Sequence, residues 1–348
     1  MAYTTIKKPS DYFTPNLHTG NGSTQSITSL DFQPDLIWIK QRNTTQNNRL
    51  IDSIRGNTKE IYSDLSNAED NLANGITSFD SNGFGLGSSN GYNQNAGTYA
   101  SWNWKANGTG SANTDGSISS TVSANTTSGF SIVSYTGTGA NATIGHGLNS
   151  APQVVLIKER NGTNNWLMSH QPLSASLGDY TRFMTLNSTS AVSGAGNIVF
   201  QNSAFTSSVF NVGTSAGSNG SGQNFIAYCF ADVQGYSKFG SYVGNSSTDG
   251  TFVYTGFKPA FIMIKETGTG TQDWYMNTGK INGYNVQDDY LAPNTSASEV
   301  VGGGLKLDML SNGFKLRANA QGVNTGYTYI YMAFAEQPLV GDNPATAR

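Results

Sequence analysis

A chain of 348 residues is long for one core and sufficient for two or three. Its charged share of 12% is low, and 41 glycines with abundant Ser, Thr and Asn supply the polarity, which points to turns and exposed strand faces in an all-β fold. A net charge of −3 without a Lys/Arg run excludes non-specific nucleic-acid binding, one cysteine excludes an intrachain disulfide framework, and no apolar stretch nears the roughly 20 residues of a membrane span.

Residues 1–11 form an arm outside the pattern that follows, either an anchor for a partner or a frayed terminus. The first residues, MAYTTIKKPSDYF, have no apolar core of a signal peptide, so synthesis in a cytoplasm without export by that route is expected. From there four landmarks recur three times in one order. An opening strand ends in a glycine turn at LHTGNG (17–22), SYTGTG (134–139) and SYVGNS (241–246). A proline-led apolar run ending in Ile-Lys follows: PDLIWIK (34–40), PQVVLIK (152–158) and PAFIMIK (259–265). Seven residues rich in Ile, Val, Phe and Trp read as a buried strand, with the proline as its first residue.

The third landmark is SFDSNGFGL (78–86), AFTSSVFNV (204–212) and DMLSNGFKL (308–316), with Phe84, Phe210 and Phe314 in register. Asn-Gly marks a hairpin turn in the first and third; Ser208-Val209 stands there in the second. Each unit closes with an aromatic strand, YASWNWKA (99–106), FIAYCFAD (225–232) or YIYMAFAE (329–336). A repeat of about 110 residues is too long for a solenoid and suits a complete sandwich. The expected architecture is therefore all-β, with three tandem antiparallel β-sandwich domains of jelly-roll or lectin-like type at 12–106, 121–233 and 234–338. A flexible Gly/Ser/Asn-rich joint occupies 107–120 and a polar tail 339–348, and the short link at Gln234-Gly235 puts the second and third domains in contact. TKEIYSDLSNAEDNLANG (58–75) is expected to be a strand followed by at most one helical turn.

Chemistry is sparse. His18 aligns with Tyr135 and Tyr242 and takes a structural strand position, whereas His146, between glycines in IGHGL, is expected to have an accessible ring. Three scattered histidines and one cysteine, Cys229, give no zinc-type spacing, and no phosphate, dinucleotide or calcium loop occurs, so no metal or cofactor is expected. Residues 87–91, GSSNG, match the G-x-S-x-G elbow, but no helical period follows the serine. The carboxylate pairs Asp288/Asp289 and Glu299/Asp308 lack counterparts in the other units. No catalytic residue is assigned. Trp166 and Trp274 follow their Ile-Lys lysines by eight and nine residues and read as equivalent, while Trp102 and Trp104 share one strand face. Such rings either pack cores and interfaces or form flat platforms for sugars. Trp166, Trp274 and His146 are the candidate ligand-binding residues.

The stretches GYSKFGSYVGNSSTDGTFVYTGFKPAFIMIKETG, SNGFKLR and YTYIYMAFAEQP resemble a repeat module of tailed bacteriophages, especially those of marine bacteria. DYFTPNLHTGNGSTQSITSLDFQPDLIWIKQRN and GFSIVSYTGTGANATIGHGLNSAPQVVLIKERN are similar to the same group. The resemblance implies a non-enzymatic virion structural or tail-fibre-like protein on the particle exterior, made in the host bacterial cytoplasm. Its partners would be other virion proteins and a host surface glycan or protein, with a homotrimer expected by analogy with fibres. No collagen-like, coiled-coil or β-helical shaft accompanies the modules, which leaves a short fibre, a fibre tip or a capsid-surface protein. The alternative is a capsid decoration or head-fibre protein whose N-terminal arm orders on the shell; a glycan-cleaving enzyme ranks third.

Overall fold

The computed structural model describes residues 4–194, 197–342 and 344–345. Strand accounts for 41% of the chain and helix for 6%, arranged in several antiparallel sheets. The Ile-Lys runs form strands Leu36–Gln41, Val154–Glu159 and Phe257–Glu266, each internal to a larger sheet. One neighbour is the aromatic closing strand (Thr98–Trp104, Asn224–Phe230 or Thr328–Pro338), with the opening strand (Phe13–Thr19, Phe130–Thr136 or Ser237–Val243) beyond it. The other neighbour is Arg49–Asp52, Leu167–His170 or Tyr275–Thr278. Pro34 and Pro152 lie just ahead of their strands, but Pro259 sits inside Phe257–Glu266 at a register shift, where a bulge tolerates the missing N–H.

These strands read as unbroken apolar runs because both their faces are covered. Ile37 and Ile39 pack with Ile76, Phe84 and Leu86 of a three-stranded sheet. Val155 and Ile157 face Phe210 and Val212 of a two-stranded sheet, and Ile262 and Ile264 face Leu307, Phe314 and Leu316 of another three-stranded one. The alternate residues Leu36, Trp38, Val154, Leu156, Phe261 and Met263 all enter one further cluster shared by the three parts of the chain. At its centre Trp104, Phe230 and Phe334 meet, with ring centroids 6.1, 5.6 and 5.8 Å apart for the three pairs. Each is the sixth residue of its closing-strand motif, so the alignment of the sequence is also a meeting point in space.

The glycine turns are fixed by close approach. A Cβ on Gly20, Gly137 or Gly244 would lie 2.2 Å from Gln94 O, 2.3 Å from Gly220 O or 2.0 Å from Thr325 O. Behind each turn sits a fully buried asparagine, Asn93, Asn219 or Asn324. Its Oδ1 accepts from the residue after the glycine (Asn21, Thr138 or Asn245 N, at 2.9, 2.8 and 3.1 Å). Its Nδ2 donates to a carbonyl six residues back (Gly87, Gly213 or Ala318, at 2.9, 2.9 and 3.1 Å).

The expected hairpins form at Ile76–Asp80/Gly83–Leu86 and Leu307–Leu310/Gly313–Leu316. Their two-residue loops are Ser81-Asn82 and Ser311-Asn312, one position earlier than Asn-Gly. Gly83 and Gly313 instead open the return strands, where a Cβ would meet Ile27 O at 1.7 Å and Val253 O at 2.1 Å. Within 58–75 the strand Lys59–Tyr62 forms and no helix follows. The stretch 107–120 carries a strand, Ser111–Asn113, paired with Ser120–Asn125, and Ile118 is buried in the second cluster. The arm is also seated, with Ile6 1% exposed within the shared cluster, and just beyond it Tyr12 meets Tyr236 edge-on at 6.1 Å. Residues 1–3 of the arm fall outside the described residues, as do 343 and 346–348 of the polar tail.

Two predictions follow from this packing. Phe334→Ala should remove about 3–5 kcal/mol of stability and shift a single calorimetric transition; a trace split into separate transitions, with only one displaced, would contradict a shared hub. Asn219→Ala leaves buried partners of the turn unpaired and should cost about 1–3 kcal/mol in urea denaturation, against no change if the turn holds itself.

Candidate ligand-binding site

Trp166 and Trp274 are 0% and 2% exposed and sit at seams between parts of the chain. Trp166 Nε1 donates to Tyr62 O at 2.7 Å, and Trp274 Nε1 donates to Thr185 O at 3.3 Å. Asn48 takes the same place in the first part, its Nδ2 donating to Thr295 O at 2.8 Å. Three backbone bonds complete the seams: Glu299 N to Arg42 O, Glu69 N to Arg160 O and Val192 N to Thr267 O, at 2.8, 2.7 and 2.9 Å. First joins third, second joins first and third joins second, so the arrangement closes on itself. Arg42 forks onto Glu299 at 2.6 and 2.9 Å and Arg160 onto Glu69 at 2.9 and 3.1 Å. These indoles hold seams and offer no face to a ligand.

The lysines that end the three core strands, Lys40, Lys158 and Lys265, are fully buried. Burial pushes each ammonium down to about 8. A depressed buried lysine often marks a catalytic site, but here all three have the same structural duty. Their Nζ atoms donate to loop carbonyls: Gln46 and Ser296 for Lys40, Glu159 and Gly162 for Lys158, Thr189 and Glu266 for Lys265. Ser296 and Thr189 belong to neighbouring parts of the chain, so two of the lysines clip a seam directly.

His146 is 0% exposed, contrary to the expectation from its flanking glycines. Its Nδ1 accepts from Leu148 N at 3.2 Å, which leaves Nε2 to donate to Thr206 O at 3.1 Å, and burial lowers its pKa. Gly145 and Gly147 let the backbone turn, and that turn draws the ring inward. His170 likewise accepts from Leu173 N, capping the helix Gln171–Leu177, and burial pushes its pKa down to about 4. His18 stacks on Tyr99 at 4.8 Å as Tyr135 does on Phe225 and Tyr242 on Tyr329. A helical turn, Asn90–Asn93, does follow Ser89 of the G-x-S-x-G match, and Ala216–Asn219 repeats it after Ser215. Both turns deliver the buried asparagines described above, and the nearby His18 is committed to Tyr92 O at 3.0 Å. Glu299 pairs with Arg42, and Asp308 with Arg317 at 2.5 Å. Among the described residues no cluster of His, Cys, Asp and Glu could hold a metal ion, and no helix is long and apolar enough to cross a membrane.

A cavity of about 170 Å³ lies elsewhere, between the opening strand Phe13–Thr19 and the third part of the chain. Phe13, Pro15, Ala260 and Met309 give it apolar walls. Its polar side holds the ion pair Lys258–Glu336 (2.8 Å), Lys280 and Gln287. The space exists because the helical turn Gly279–Asn282 has glycine at its start and is followed by Gly283, neither of which projects a side chain. Sequence reasoning missed this site, since its walls come from positions more than two hundred residues apart in the chain.

The lysine geometry has a pH consequence. The folded-state value near 8 lies below the ordinary 10.5, so between about pH 7 and 9 the unfolded chain keeps protons that the folded one releases, and stability rises with pH. The urea midpoint should therefore be higher at the upper end of that window, and replacing all three lysines by methionine should flatten the rise. An equal rise in the substituted protein would assign it to other groups.

No curated protein matches the chain. A family model matches residues 8–338, nearly the whole chain, and on that extent the chain belongs to the family described as Domain of unknown function (DUF7483).

Proposed function

We propose that this chain is a non-enzymatic structural protein on the exterior of a tailed-phage particle, a tail-fibre or fibre-tip component that recognises the bacterial surface. It would be built as three tandem sandwich units of jelly-roll or lectin-like type, made in the host cytoplasm and assembled with other virion proteins. The observation that carries this reading is where the recurring motifs fall. The glycine turns, Ile-Lys strands and closing aromatics that resemble the phage module are all committed to packing, turns and seams. His146, His170 and the buried lysines, the groups a hydrolase would recruit, are enclosed and hydrogen-bonded to backbone, and the half-buried His18 is bonded to Tyr92 O. What remains free to vary is the loop surface, which suits adhesion better than catalysis.

Three similar units in one chain also supply valency without a homotrimer, and several copies on a particle would raise effective affinity for weak individual sites. The capsid-decoration alternative relied on an arm that orders on the shell. Residues 4–11 already pack against the body, with Ile6 in the shared cluster, so that device has less to offer.

Purified protein should bind host cells and block phage adsorption in proportion to its concentration, and antibody-gold should label the tail of intact particles. Protein that does neither, with gold over the head, would move the reading to decoration; an absence of label on intact particles would remove the virion assignment.

A further inference from the structure

We propose that the cavity between the Phe13–Thr19 strand and the Gly279–Asn282 turn binds one acidic sugar residue, a uronic acid, through Gln287, Lys280 and Tyr284. The identification of that sugar as a host-surface one rests on the adhesive reading above; the site itself rests on three observations.

Gln287 is 2% exposed and lines the cavity, its Nε2 donates to Tyr284 O at 2.7 Å, and its Oε1 has no hydrogen-bond partner. A buried acceptor without a donor is costly, and a ligand hydroxyl would satisfy it. Lys280 stands at the same cavity. Its nearest acidic neighbour, Glu336, already holds Lys258 at 2.8 Å, and no carboxylate among the described residues lies within ion-pairing distance of Lys280. An anionic group is what this ammonium lacks. Tyr284 is 77% exposed, more than any other large apolar side chain among the described residues, and stands between the wall residues Gly283 and Asn285. A flat ring held in water beside a cavity mouth is the platform on which the apolar face of a pyranose stacks.

One donor-seeking amide oxygen, one cation and one ring, around walls supplied by Phe13 and Met309, match a hydroxylated ring bearing a single carboxylate. The ligand's carboxylate would face Lys280 and a hydroxyl would donate to Gln287 Oε1. A neutral hexose would leave Lys280 unanswered, and an aliphatic acid would leave Gln287 and Tyr284 idle. In the second part the helix Gln171–Leu177 takes the place of the Gly279–Asn282 turn and puts Leu173 into the shared cluster.

Ligand-observed saturation-transfer NMR on the full chain, with D-glucuronate and D-glucose as probes, tests the site. Transfer should be seen to glucuronate and be weaker to glucose by about tenfold in affinity. Lys280→Glu and Tyr284→Ala, at surface positions, should abolish it while leaving the circular-dichroism spectrum and melting midpoint unchanged. Gln287→Leu should weaken it with its fold checked the same way. No transfer to glucuronate, or equal transfer in Lys280→Glu, would overturn the proposal. Host-cell binding by wild-type protein in that case would leave adhesion standing at another surface; sugar binding by a protein that ignores host cells would sink adhesion and keep the site. Inhibition of cell binding by purified capsule or by purified lipopolysaccharide would then identify the source of the sugar.

Discussion

Trp104, Phe230 and Phe334 come from strands more than a hundred residues apart, and the rest of the molecule depends on their contact. Each large sheet has two apolar faces, and the small sheet laid on one face leaves the other uncovered. The shared cluster covers all three remaining faces at once. An aromatic ring of this size buries roughly 150–250 Å², worth about 4–6 kcal/mol as an upper bound. No one of the three parts could keep its inner face dry without the other two. The consequence is cooperative: removing one ring opens a cavity that all three sheets line.

The seams follow from the hub. Once three inner faces converge, the strand ends flanking them must meet, and their backbone groups need partners. The chain meets this need three times with the same device, an N–H from one part bonding the carbonyl two residues beyond the Ile-Lys lysine of the next. The lysines serve the same end by donating to loop carbonyls, Ser296 O receiving both Lys40 Nζ and the backbone N–H of Gln46. Burial is the dominant influence on these ammonium groups and outweighs the carboxylates that act on them from a distance (Asp64 on Lys40, Glu159 on Lys158, Glu266 and Asp273 on Lys265), which is why their values fall. Asp52 and Arg55 show the contrast, a buried pair at 2.5 Å also touched by Tyr228 of the second part, in which opposite charge overrides desolvation and the guanidinium stays firmly protonated.

Much of the strand pattern was readable because it rests on short-range rules. Proline-led β-branched runs, glycine at points of backbone contact and recurrent aromatics all act within a few residues, and they located the core strands, the hairpins and the equivalence of His18 with Tyr135 and Tyr242. The shared cluster was not readable. Leu36 and Ile37 are both apolar, and nothing in either says that one faces a local sheet and the other a distant one. His146 misled for a related reason, because glycine frees a backbone without stating which way the ring turns. The stretch 107–120 reads as loose from its Gly, Ser and Asn, yet Ile118 anchors it, one apolar residue outweighing its polar surroundings. Trp166 and Trp274 are equivalent, as their spacing from the lysines implies, and their shared task is the seam.

Positions that recur are bound by the geometry of closure, so distinct chemistry has to arise where the three parts differ. Two seams carry Arg–Glu forks, at Arg42–Glu299 and Arg160–Glu69, while the one joining Thr267 to Val192 is held by backbone, Lys265 and the Trp274 indole. Two parts use an indole as the seam donor and one uses Asn48. The third part meets Phe13–Thr19 with a four-residue helical turn that begins with one glycine and is followed by another, whereas the second part meets Ser237–Val243 with the seven-residue helix Gln171–Leu177. The last of these departures is the one that opens a walled cavity beside an exposed aromatic ring. The site takes its walls from two separate parts of the chain, and one of them, Phe13, is held by the hub itself, its ring 4.9 Å from those of Trp104 and Phe334.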